Sequence, residues 1–567
     1  MKNFIVLLLL LCHCTFFLSA QSQSAKTAAK IDSIFAAWNK PGTPGAAVGV
    51  VYQGKLIYAK GFGEADVETG APITPKTIFH VASVSKQFTA YAITLLAQQG
   101  KLSLDDEVRK YIPELADFGH KITIRHLLHH TSGLRDQWNL LVMAGWQMED
   151  VITKENILNV VKRQRELNFL PGAEYTYSNT GYTLLAEIVA RVSKQPFPDW
   201  MKKNIFEPLK MESTLFYDDH QRIVKGRAYS FYKTSDLSAQ PYKKDVLSYA
   251  NAGATSLFTT VEDMAHWIGN FRTQTVGDQA TMKQMLERGR LNKGDTISYA
   301  FALDHGKYKG LAYYGHSGGD AGFRSYVCYF PKEDYGFIVF SNAAEFNPVG
   351  KAFDVAQVYM GGLIKEASPV KAPEAASRFK EQKIDPALLD AYVGDYELVP
   401  GFVLSFKREG NRFITQATGQ GPAEVFPYSD STFFLKIVDA QVTFHRSKDG
   451  KVDKLTLHQN GNKTAHRVAP FSLTAEELKE YAGKYYSPEL ETFYTIKIDS
   501  DQLKLVHIHH GETTLKPLSK NKLQVPWWFF QSIEMVRDAS NTIIGLKVSN
   551  GRVRNLRFKR LPADFGE

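Results

Sequence analysis

The stretch YYGHSGGDAGFRS, residues 313–325, decides between two folds. Its centre, residues 315–319, spells G-x-S-x-G, the pattern of a nucleophile elbow. An elbow requires a strand before the serine, a helix directly after it, and an acid and a histidine further along the chain. Here further glycines and the β-type run YVCYF follow Ser317. This order predicts a second strand instead of a helix and argues against Ser317 as a nucleophile.

An earlier serine offers a different chemistry, in TIFHVASVSKQFTAYAITLLAQQG, residues 77–100. The apolar periodicity predicts a long helix that ends at Gly100 and carries S-x-x-K, Ser83 and Lys86, at its start. Because residues three apart share a helix face, Lys86 would lie one turn from Ser83. A lysine in surroundings that favour its neutral amine can accept the serine proton. Taken alone, these residues fit an ordinary capped helix equally well.

Two further motifs follow in an informative order. Tyr177-Ser178-Asn179 forms Y-x-N before a predicted helix, and residues 316–318 form H-x-G before a strand. With S-x-x-K, this set resembles the three motifs of serine β-lactamases and penicillin-binding proteins. The chain is similar to the class C β-lactamase-like branch, a β-lactamase-related, CubicO-like family that includes D-aminopeptidases, carboxypeptidases and esterases. The stretches ITIRHLLHHTSGL and NAGATSLFTTVEDMAHW strengthen the resemblance, which extends over roughly residues 28–365.

The resemblance implies a role for each residue of the first two motifs. Ser83 would be the nucleophile and form an acyl-enzyme. Lys86 would accept the proton of Ser83, and Tyr177 would share the acid/base work. Asn179 would either hydrogen-bond the substrate or orient Lys86. How the proton transfers are divided stays open at the level of sequence.

The resemblance also makes the third motif a substrate-binding strand that contains His316 and Gly318. The backbone N–H groups of Ser83 and Gly319 would form the oxyanion hole, and Ser317 would be a bystander. The β-lactamase and carboxypeptidase pattern has lysine at the place of His316. Histidine is largely neutral near pH 7, so a substrate carboxylate would meet no permanent cation here. We therefore expect an esterase-like or D-amino-acid-peptidase-like preference.

The chain organisation predicts one α+β domain followed by two small all-β domains. We expect the first to be β-lactamase/transpeptidase-like, an antiparallel sheet flanked by helices. After a segment rich in Pro, Ala and Ser, the pattern of residues 389–396 recurs at 478–485, and short alternating strands predict barrel-like repeats. The expected boundaries are 24–365 for the hydrolase domain, 366–385 for the linker, 386–470 for the first repeat and 473–563 for the second.

The N-terminus has the features of a signal peptide over residues 1–20, with a basic start, an apolar run and a cleavage site after Ala20. Retention as an uncleaved anchor is the alternative. Cys12 and Cys14 lie in this segment, so the mature chain would keep Cys328 alone and form no internal disulfide. These features predict an exported protein, periplasmic or extracellular, without a stable membrane span after cleavage.

The net charge and the spacing of the histidines argue against nucleic acid and metal ions as partners. The formal net charge is +9, but no basic stripe accompanies it, which argues against nucleic acid. The histidines of RHLLHH and LVHIHHGE do not follow a zinc pattern such as H-E-x-x-H, so we expect no metal or other cofactor. Packing near the active site is the interpretation for the first set, His126, His129 and His130. An exposed strand face is the interpretation for the second, His507 and His509.

The favoured function is a secreted serine hydrolase that acts through a Ser83 acyl-enzyme on an ester, amide or peptide bond. Its partner would be a small-molecule or peptide substrate, with a cell-wall-derived one among the candidates, and a homo-oligomer is left open. Three alternatives remain: a true class C-type β-lactamase, a penicillin-binding sensor that deacylates slowly, and an α/β-hydrolase that uses Ser317. The role of the two β-domains is also open.

Overall fold

The computed structural model describes the greater part of the chain in two compact units. The expected signal peptide, residues 1–20, and most of the expected linker, residues 366–385, lie outside the described residues. The first unit comprises Met1–Trp138 with Gln147–Ala367, and the second comprises Asn139–Trp146 with Ser368–Glu567. The described residues are 25–234, 241–364, 381–399, 402–418, 421–436, 438, 440–459, 462–468 and 471–562.

A six-stranded antiparallel sheet forms the centre of the first unit. Its spatial order is β3-β4-β5-β6-β1-β2, so the N-terminal hairpin lies beside the last strand of the domain. The strands are β1 (Ala46–Tyr52), β2 (Lys55–Phe62), β3 (Asp304–Tyr308), β4 (Leu311–Asp320), β5 (Phe323–Phe330) and β6 (Tyr335–Ser341).

Helices cover both faces of this sheet because its central strands are apolar on both sides. One face packs against residues 25–35 and helix Pro348–Met360, which share a core with β1 and β6. The other face meets helix Val261–Thr273, whose Val261 would lie 2.4 Å from a Cβ built at Gly49. The expected α+β class is confirmed.

The helical segments of the described chain range from single turns to four turns. They are residues 25–35, Ala36–Trp38, Ala82–Val84, Ser85–Gln98, Val108–Lys110, Ile124–Leu128, Gln137–Met143, Lys154–Lys162, Asn179–Ser193, Phe197–Met201, Lys202–Phe206, Val261–Thr273, Gln279–Met285, Pro348–Met360, Ala387–Asp390 and Ala475–Tyr481. Within the described ranges, every helix is too short or too polar to cross a bilayer.

Several short strands pair outside the main sheet. Phe79–His80 and Leu257–Thr259 are the important pair, because they bring the approach to Ser83 beside the loop that follows residue 250. The others pair as Glu64–Asp66 with Ala71–Pro72, Leu215–Phe216 with Leu257–Thr259, Ile152–Thr153 with Tyr249–Ala250, and Ser230–Lys233 with Tyr242–Asp245.

Strand β4 settles the choice raised by the G-x-S-x-G stretch. Ser317 lies inside β4, paired with Tyr326 of β5, and a tight hairpin joins the two strands. The serine is therefore followed by a strand, as the glycines predict. The strand–elbow–helix arrangement needed by an α/β-hydrolase nucleophile is not formed around Ser317.

The second unit contains two antiparallel β structures, which confirms the predicted all-β region. The first is a closed barrel of eight strands. They are β7 (Gly394–Val399), β8 (Phe402–Glu409), β9 (Arg412–Ala417), β10 (Ala423–Pro427), β11 (Thr432–Leu435), β12 (Gln441–Arg446), β13 (Val452–His458) and β14 (Asn462–Arg467).

The second structure is a nine-stranded sheet of order β18-β17-β16-β15-β23-β22-β21-β20-β19. Its two end strands, β18 and β19, are neighbours in sequence, so the sheet curls almost into a barrel. The strands are β15 (Gly483–Ser487), β16 (Thr492–Asp499), β17 (Gln502–His507), β18 (Gly511–Thr514), β19 (Lys516–Ser519), β20 (Lys522–Gln524), β21 (Ser532–Arg537), β22 (Ile543–Ser549) and β23 (Leu556–Arg560).

The sequence repeat corresponds to repeated side-chain bonds. The Tyr396 hydroxyl donates to the Tyr392 carbonyl at 3.1 Å, and the equivalent Tyr485 hydroxyl donates to the Tyr481 carbonyl at 2.7 Å. All four tyrosines are fully buried. Each copy therefore uses the same pair of tyrosines to close its core where a short helix enters the first strand.

The histidines near residue 507 differ from the sequence interpretation of an exposed strand face. Strand β17 ends at His507, whose side chain is buried, and His509 lies in the turn that follows. His507 Nε2 lies 2.9 Å from Thr492 Oγ1, while its Nδ1 accepts from the backbone N–H of His509. The alternation holds along β17, but it places His507 on the buried face with Leu503 and Leu505, and the strand ends before the exposed His509 could share that face.

Candidate active site

Ser83 lies in a strained turn at the entrance to a buried helix. It occupies the single turn Ala82–Val84, directly before helix Ser85–Gln98, and its side chain is half-buried. Ala82 has φ 47°, in the left-handed region that costs a residue with a Cβ about 1–2 kcal/mol. The Ser85 hydroxyl donates to the Ala82 carbonyl at 2.5 Å and accepts from Leu257 N–H at 3.0 Å. These bonds hold the turn in its strained form.

Lys86 is fully buried and points at Ser83. Its Nζ lies 2.9 Å from Ser83 Oγ, 2.9 Å from Asn179 Oδ1 and 2.6 Å from the Ala254 carbonyl oxygen. The carbonyl and amide oxygens can only accept, whereas the serine hydroxyl can accept or donate. The geometry therefore suits an ammonium that donates to all three partners. It equally suits a neutral amine that donates to two and accepts from Ser83.

Asn179 connects Lys86 to a carboxylate that the sequence analysis did not identify. Asn179 begins helix Asn179–Ser193 and is buried. Its Oδ1 accepts from Lys86, while its Nδ2 and its backbone N–H donate to Asp136 Oδ2 at 2.8 and 2.7 Å. Asp136 is also fully buried and accepts from Trp138 N–H at 3.1 Å. Of the two expected roles for Asn179, the observed contacts match the orientation of Lys86.

Tyr177 lies over Lys86 among other aromatic rings. Lys86 Nζ is 4.9 Å from the centre of the Tyr177 ring. The His130 ring packs on Tyr177 with centres 4.2 Å apart, and His130 Nδ1 accepts from Ser178 N–H at 3.1 Å. The Y-x-N segment is thus held from behind by His130, which leaves Tyr177 half-buried beside the amine.

His316 is buried on β4 and has partners within the protein at both ring nitrogens. Its Nδ1 lies 2.5 Å from the Ser317 carbonyl, which can only accept, so Nδ1 carries the proton. Nε2 then accepts from the Tyr299 hydroxyl at 2.9 Å. Burial, together with the nearby positive charge of Lys86, lowers the pKa of His316 to about 3. His316 is therefore a neutral hydrogen-bonding residue at physiological pH.

The glycines of the third motif bring β4 against the Ser83 turn. A Cβ built at Gly318 would lie 2.4 Å from the Val81 carbonyl oxygen and 3.0 Å from Ser83 N. At Gly319 the nearest atom would be 3.5 Å away, and this residue is exposed. Only glycine at 318 permits this approach. The approach brings the N–H side of Ser83 close to the backbone of Gly318.

The histidines of RHLLHH have separate protein partners. His126 Nδ1 accepts from Thr123 N–H in the N-terminal cap of helix Ile124–Leu128. His129 Nε2 donates to the Glu287 carbonyl at 3.0 Å, and burial lowers the pKa of His129 to about 4. His130 supports Ser178, as described above. The expectation of packing near the site fits His130 most directly.

Three contributors to the site were missed by the motif analysis: Asp136, Tyr299 and the Ala254 carbonyl. Asp136 lies just after the HTSGL signature, and that position is the one signal from which it could have been inferred. Tyr299 lies in an unremarkable loop. Ala254 contributes through its backbone carbonyl, which every residue type supplies, so no sequence pattern could indicate it.

Comparison with known families gives a match over most of the first unit. A family model described as Beta-lactamase matches residues 31–358, and one described as a domain of unknown function, DUF3471, matches residues 379–469. Penicillin-binding protein 4* of Bacillus subtilis (strain 168) is 29% identical over 421 residues, which are 72% of this chain and 91% of that protein. Protein flp of Staphylococcus aureus (strain MW2) is 31% identical over 313 residues, which are 53% of this chain and 59% of that protein.

Solved structures show the same fold at lower identity. The octameric penicillin-binding protein homologue from Pyrococcus abyssi superposes with a TM-score of 0.54 and 23% identity, covering 79% of this chain and 99% of that one. The D-amino acid amidase from Ochrobactrum anthropi SV3 gives a TM-score of 0.51 and 21% identity, covering 60% of this chain and 99% of that one. These likenesses concern the fold.

Proposed function

The chain belongs to the beta-lactamase family of serine hydrolases, and on this basis we propose that it hydrolyses an ester, amide or peptide bond through an acyl-enzyme on Ser83. The single observation that carries the proposal is the 2.9 Å contact between Ser83 Oγ and Lys86 Nζ, with Asn179 and the Ala254 carbonyl holding the amine in place. A hydroxyl becomes a useful nucleophile when a positioned base takes its proton as it attacks.

Acylation would begin with attack of Ser83 Oγ on the substrate carbonyl carbon while the hydroxyl proton passes to Lys86 Nζ. The carbonyl oxygen gains negative charge, and the N–H groups of Ser83 and Gly319 would bind it. The tetrahedral intermediate then collapses, the bond to the leaving group breaks, and that group takes up a proton. Tyr177, whose ring lies over Lys86 Nζ, is the group we assign to relay this proton from the amine.

Deacylation would follow the same path with water as the nucleophile. The water oxygen would attack the acyl carbon as one water proton passes through Tyr177 to Lys86. The tetrahedral intermediate would then collapse, the ester bond to Ser83 Oγ would break, and Lys86 would return the proton to the serine oxygen. The carboxylic acid product would then leave. The packing of His130 against Tyr177 supports this assignment, because it holds the tyrosine ring beside the amine.

The environment of His316 supports a substrate whose recognised group is not a carboxylate. The residue is neutral and its two nitrogens bind Tyr299 and the Ser317 carbonyl. We therefore assign His316 a positioning role on β4, in place of the direct substrate contact expected from the motif. Amides and esters, including those of D-amino acids, are the proposed class.

Penicillin recognition is the second candidate, favoured by the relation to penicillin-binding protein 4* of Bacillus subtilis. A β-lactam would acylate the same Ser83. Slow hydrolysis of that acyl-enzyme would make the protein a penicillin-binding sensor, and fast hydrolysis would make it a β-lactamase. A fluorescent penicillin followed over time separates these outcomes, since a single burst of bound dye indicates a sensor and continued turnover indicates a β-lactamase.

The test of the proposed function is labelling with a fluorophosphonate probe followed by peptide mapping. We expect the label on Ser83 in the wild type, its loss in Ser83→Ala, and its retention in Ser317→Ala. Ser317 is the matched control because it is an exposed serine on the neighbouring strand. A label on Ser317, lost only in Ser317→Ala, would refute the proposal.

We also propose export to the periplasm or beyond. This proposal rests on the sequence of residues 1–20, which lie outside the described residues. N-terminal sequencing of the protein isolated from its host should find cleavage after Ala20. An uncleaved N-terminus would favour the anchored alternative. Light scattering on the purified protein would test the open question of a homo-oligomer.

A further inference from the structure

Three segments that shape the candidate site are tied together at one carboxylate. Asp320 is the last residue of β4 and directly follows Gly319. Its Oδ2 lies 3.0 Å from His80 Nε2 and accepts a short hydrogen bond from the Thr255 hydroxyl. His80 is fully buried, Thr255 is buried, and the side chain of Asp320 is 17% exposed.

Each tied segment carries a part of the proposed chemistry. His80 ends the short strand Phe79–His80, three residues before Ser83. Thr255 directly follows Ala254, whose carbonyl accepts from Lys86. Asp320 directly follows Gly319, whose N–H we assign to the oxyanion hole. One carboxylate group therefore joins the nucleophile turn, the support of the base and the oxyanion strand.

We propose that Asp320 is the positioning residue of the oxyanion hole, an inference that rests on the proposed function. By accepting from Thr255 and His80, its carboxylate fixes the end of β4 at the distance from Ser83 that lets both N–H groups meet one oxygen. Asp320 acts through the backbone of Gly319.

The end of β4 depends on such side-chain bonds because β4 extends beyond its neighbouring strand β3. The last pair between β3 and β4 is Asp304 with Gly315, so residues 316–320 extend beyond β3. On the other side they remain paired with β5, down to Asp320 with Phe323. This hairpin end has strand pairing along one edge only, so its position against the Ser83 turn depends on side-chain contacts, among which a charge-assisted hydrogen bond is a strong one.

The state of His80 is consistent with this arrangement. Its Nδ1 is buried and has no hydrogen-bond partner among the described residues. The neutral tautomer with the proton on Nε2 fits, because it donates to Asp320 and leaves no N–H unsatisfied at Nδ1. His80 Nε2 is also 3.2 Å from Thr255 Oγ1, so its single N–H is shared between the carboxylate and the hydroxyl, and the three groups form a compact triangle. Two donors on one carboxylate fix it more firmly than a single donor does.

The expected effect of breaking the triangle is a loss of kcat with KM little changed. Removing one oxyanion-hole donor costs about 100- to 1000-fold in kcat, and a displaced donor should cost less, about 10- to 100-fold. KM should stay within about twofold, because the negative charge that the hole binds develops only after attack.

The experiment compares Asp320→Ala, Thr255→Val and Thr255→Ser with the wild type. Thr255→Val keeps the shape and removes the hydroxyl, whereas Thr255→Ser keeps the hydroxyl and should restore most of the rate. The readouts are the rate of fluorophosphonate labelling at Ser83, kcat and KM on p-nitrophenyl acetate, and the melting temperature. Should Asp320→Ala fail to fold, the Thr255 pair still decides the question.

Asp334→Ala is the matched control, since Asp334 lies in the hairpin after the other end of β5. Its carboxylate binds Arg272 and the Tyr329 hydroxyl, so its loss should lower stability without slowing Ser83 labelling. A wild type that does not label at Ser83 would overturn the proposed function and this inference with it. A wild type that labels, beside folded Asp320→Ala and Thr255→Val proteins that label equally fast, would overturn the inference alone.

Discussion

Replacing Gly318 by alanine should almost abolish activity while leaving a folded protein. The added methyl group would lie 2.4 Å from the Val81 carbonyl oxygen, 2.4 Å from Ser325 Oγ and 3.0 Å from Ser83 N. The serine hydroxyl can rotate away, but the Val81 carbonyl belongs to the backbone. Since ordinary carbon–oxygen contacts begin at roughly 3.4 Å, β4 and the Ser83 turn must separate by about 1 Å.

A separation of this size predicts a loss of about 100-fold in kcat, because a reacting group misplaced by about 1 Å costs that much. The methyl group also occupies the space in front of the Ser83 N–H, one of the two proposed oxyanion donors. The cost in stability should be that of an overpacked core, about 1–3 kcal/mol. The rates of fluorophosphonate labelling and ester hydrolysis, with urea unfolding on the same samples, measure both effects.

Gly315→Ala is the matched control on the same strand. Its methyl group would lie 2.4 Å from the Val327 carbonyl oxygen and 2.7 Å from Cys328 Cβ, so the clash is similar but does not involve the Ser83 turn. We expect a comparable loss of stability and at most a few-fold loss of rate. Equal rates for Gly318→Ala and wild type, or equal losses in the two variants, would refute the close-approach argument.

Two further predictions concern buried polar groups. Asp136→Asn should lower the free energy of unfolding by about 1–3 kcal/mol and slow labelling of Ser83 roughly tenfold, because the charge-assisted bonds that hold Asn179 are weakened. The control is Asp263→Asn, at another buried carboxylate that accepts from a backbone N–H. This variant should lose stability without a loss of labelling rate. Burial lowers the pKa values of His316 and His129 to about 3 and about 4, whereas the unfolded chain protonates histidine near about 6.5. Because the unfolded chain takes up these protons and the folded chain does not, each histidine costs almost no stability above about pH 7 and about 2 kcal/mol at about pH 5. The free energy of unfolding in urea should therefore be about 4 kcal/mol lower at about pH 5 than at about pH 7 from this pair. Equal values at the two pH values would contradict their burial in the neutral form.

The local part of the site could be predicted from the sequence, since helical spacing alone brings Lys86 beside Ser83. The glycines after Ser317 likewise predicted a strand, and β5 confirms it. The supporting partners could not be predicted. Asp136 meets Asn179 across a separation of 43 residues, and Ala254 meets Lys86 across 168. Such contacts depend on the whole fold and leave no local periodicity.

The sequence predicted the protonation state of His316 but not its contacts. Its type indicated neutrality near pH 7, and the structure agrees. Its type did not indicate that the ring would turn inward and bind Tyr299, the contact on which the proposed strand-positioning role rests. A strand pattern gives the alternation of faces, but which face is covered depends on loops that arrive from elsewhere.

The discontinuous second unit has a consequence for the order in which the protein matures. Asn139–Trp146 belongs to that unit, where the Tyr494 hydroxyl donates to the Met143 carbonyl at 2.9 Å and His510 Nε2 lies 2.6 Å from the Val142 carbonyl. Residues 139–146 are synthesised in the first third of the chain, but the donors to their carbonyls lie in the final third. The long intervening chain makes this closure a contact of high order and a slow step. A translation product that stops at the family-model boundary near residue 358 would leave these carbonyls without those donors, so this early segment is completed only after residue 510 has been made.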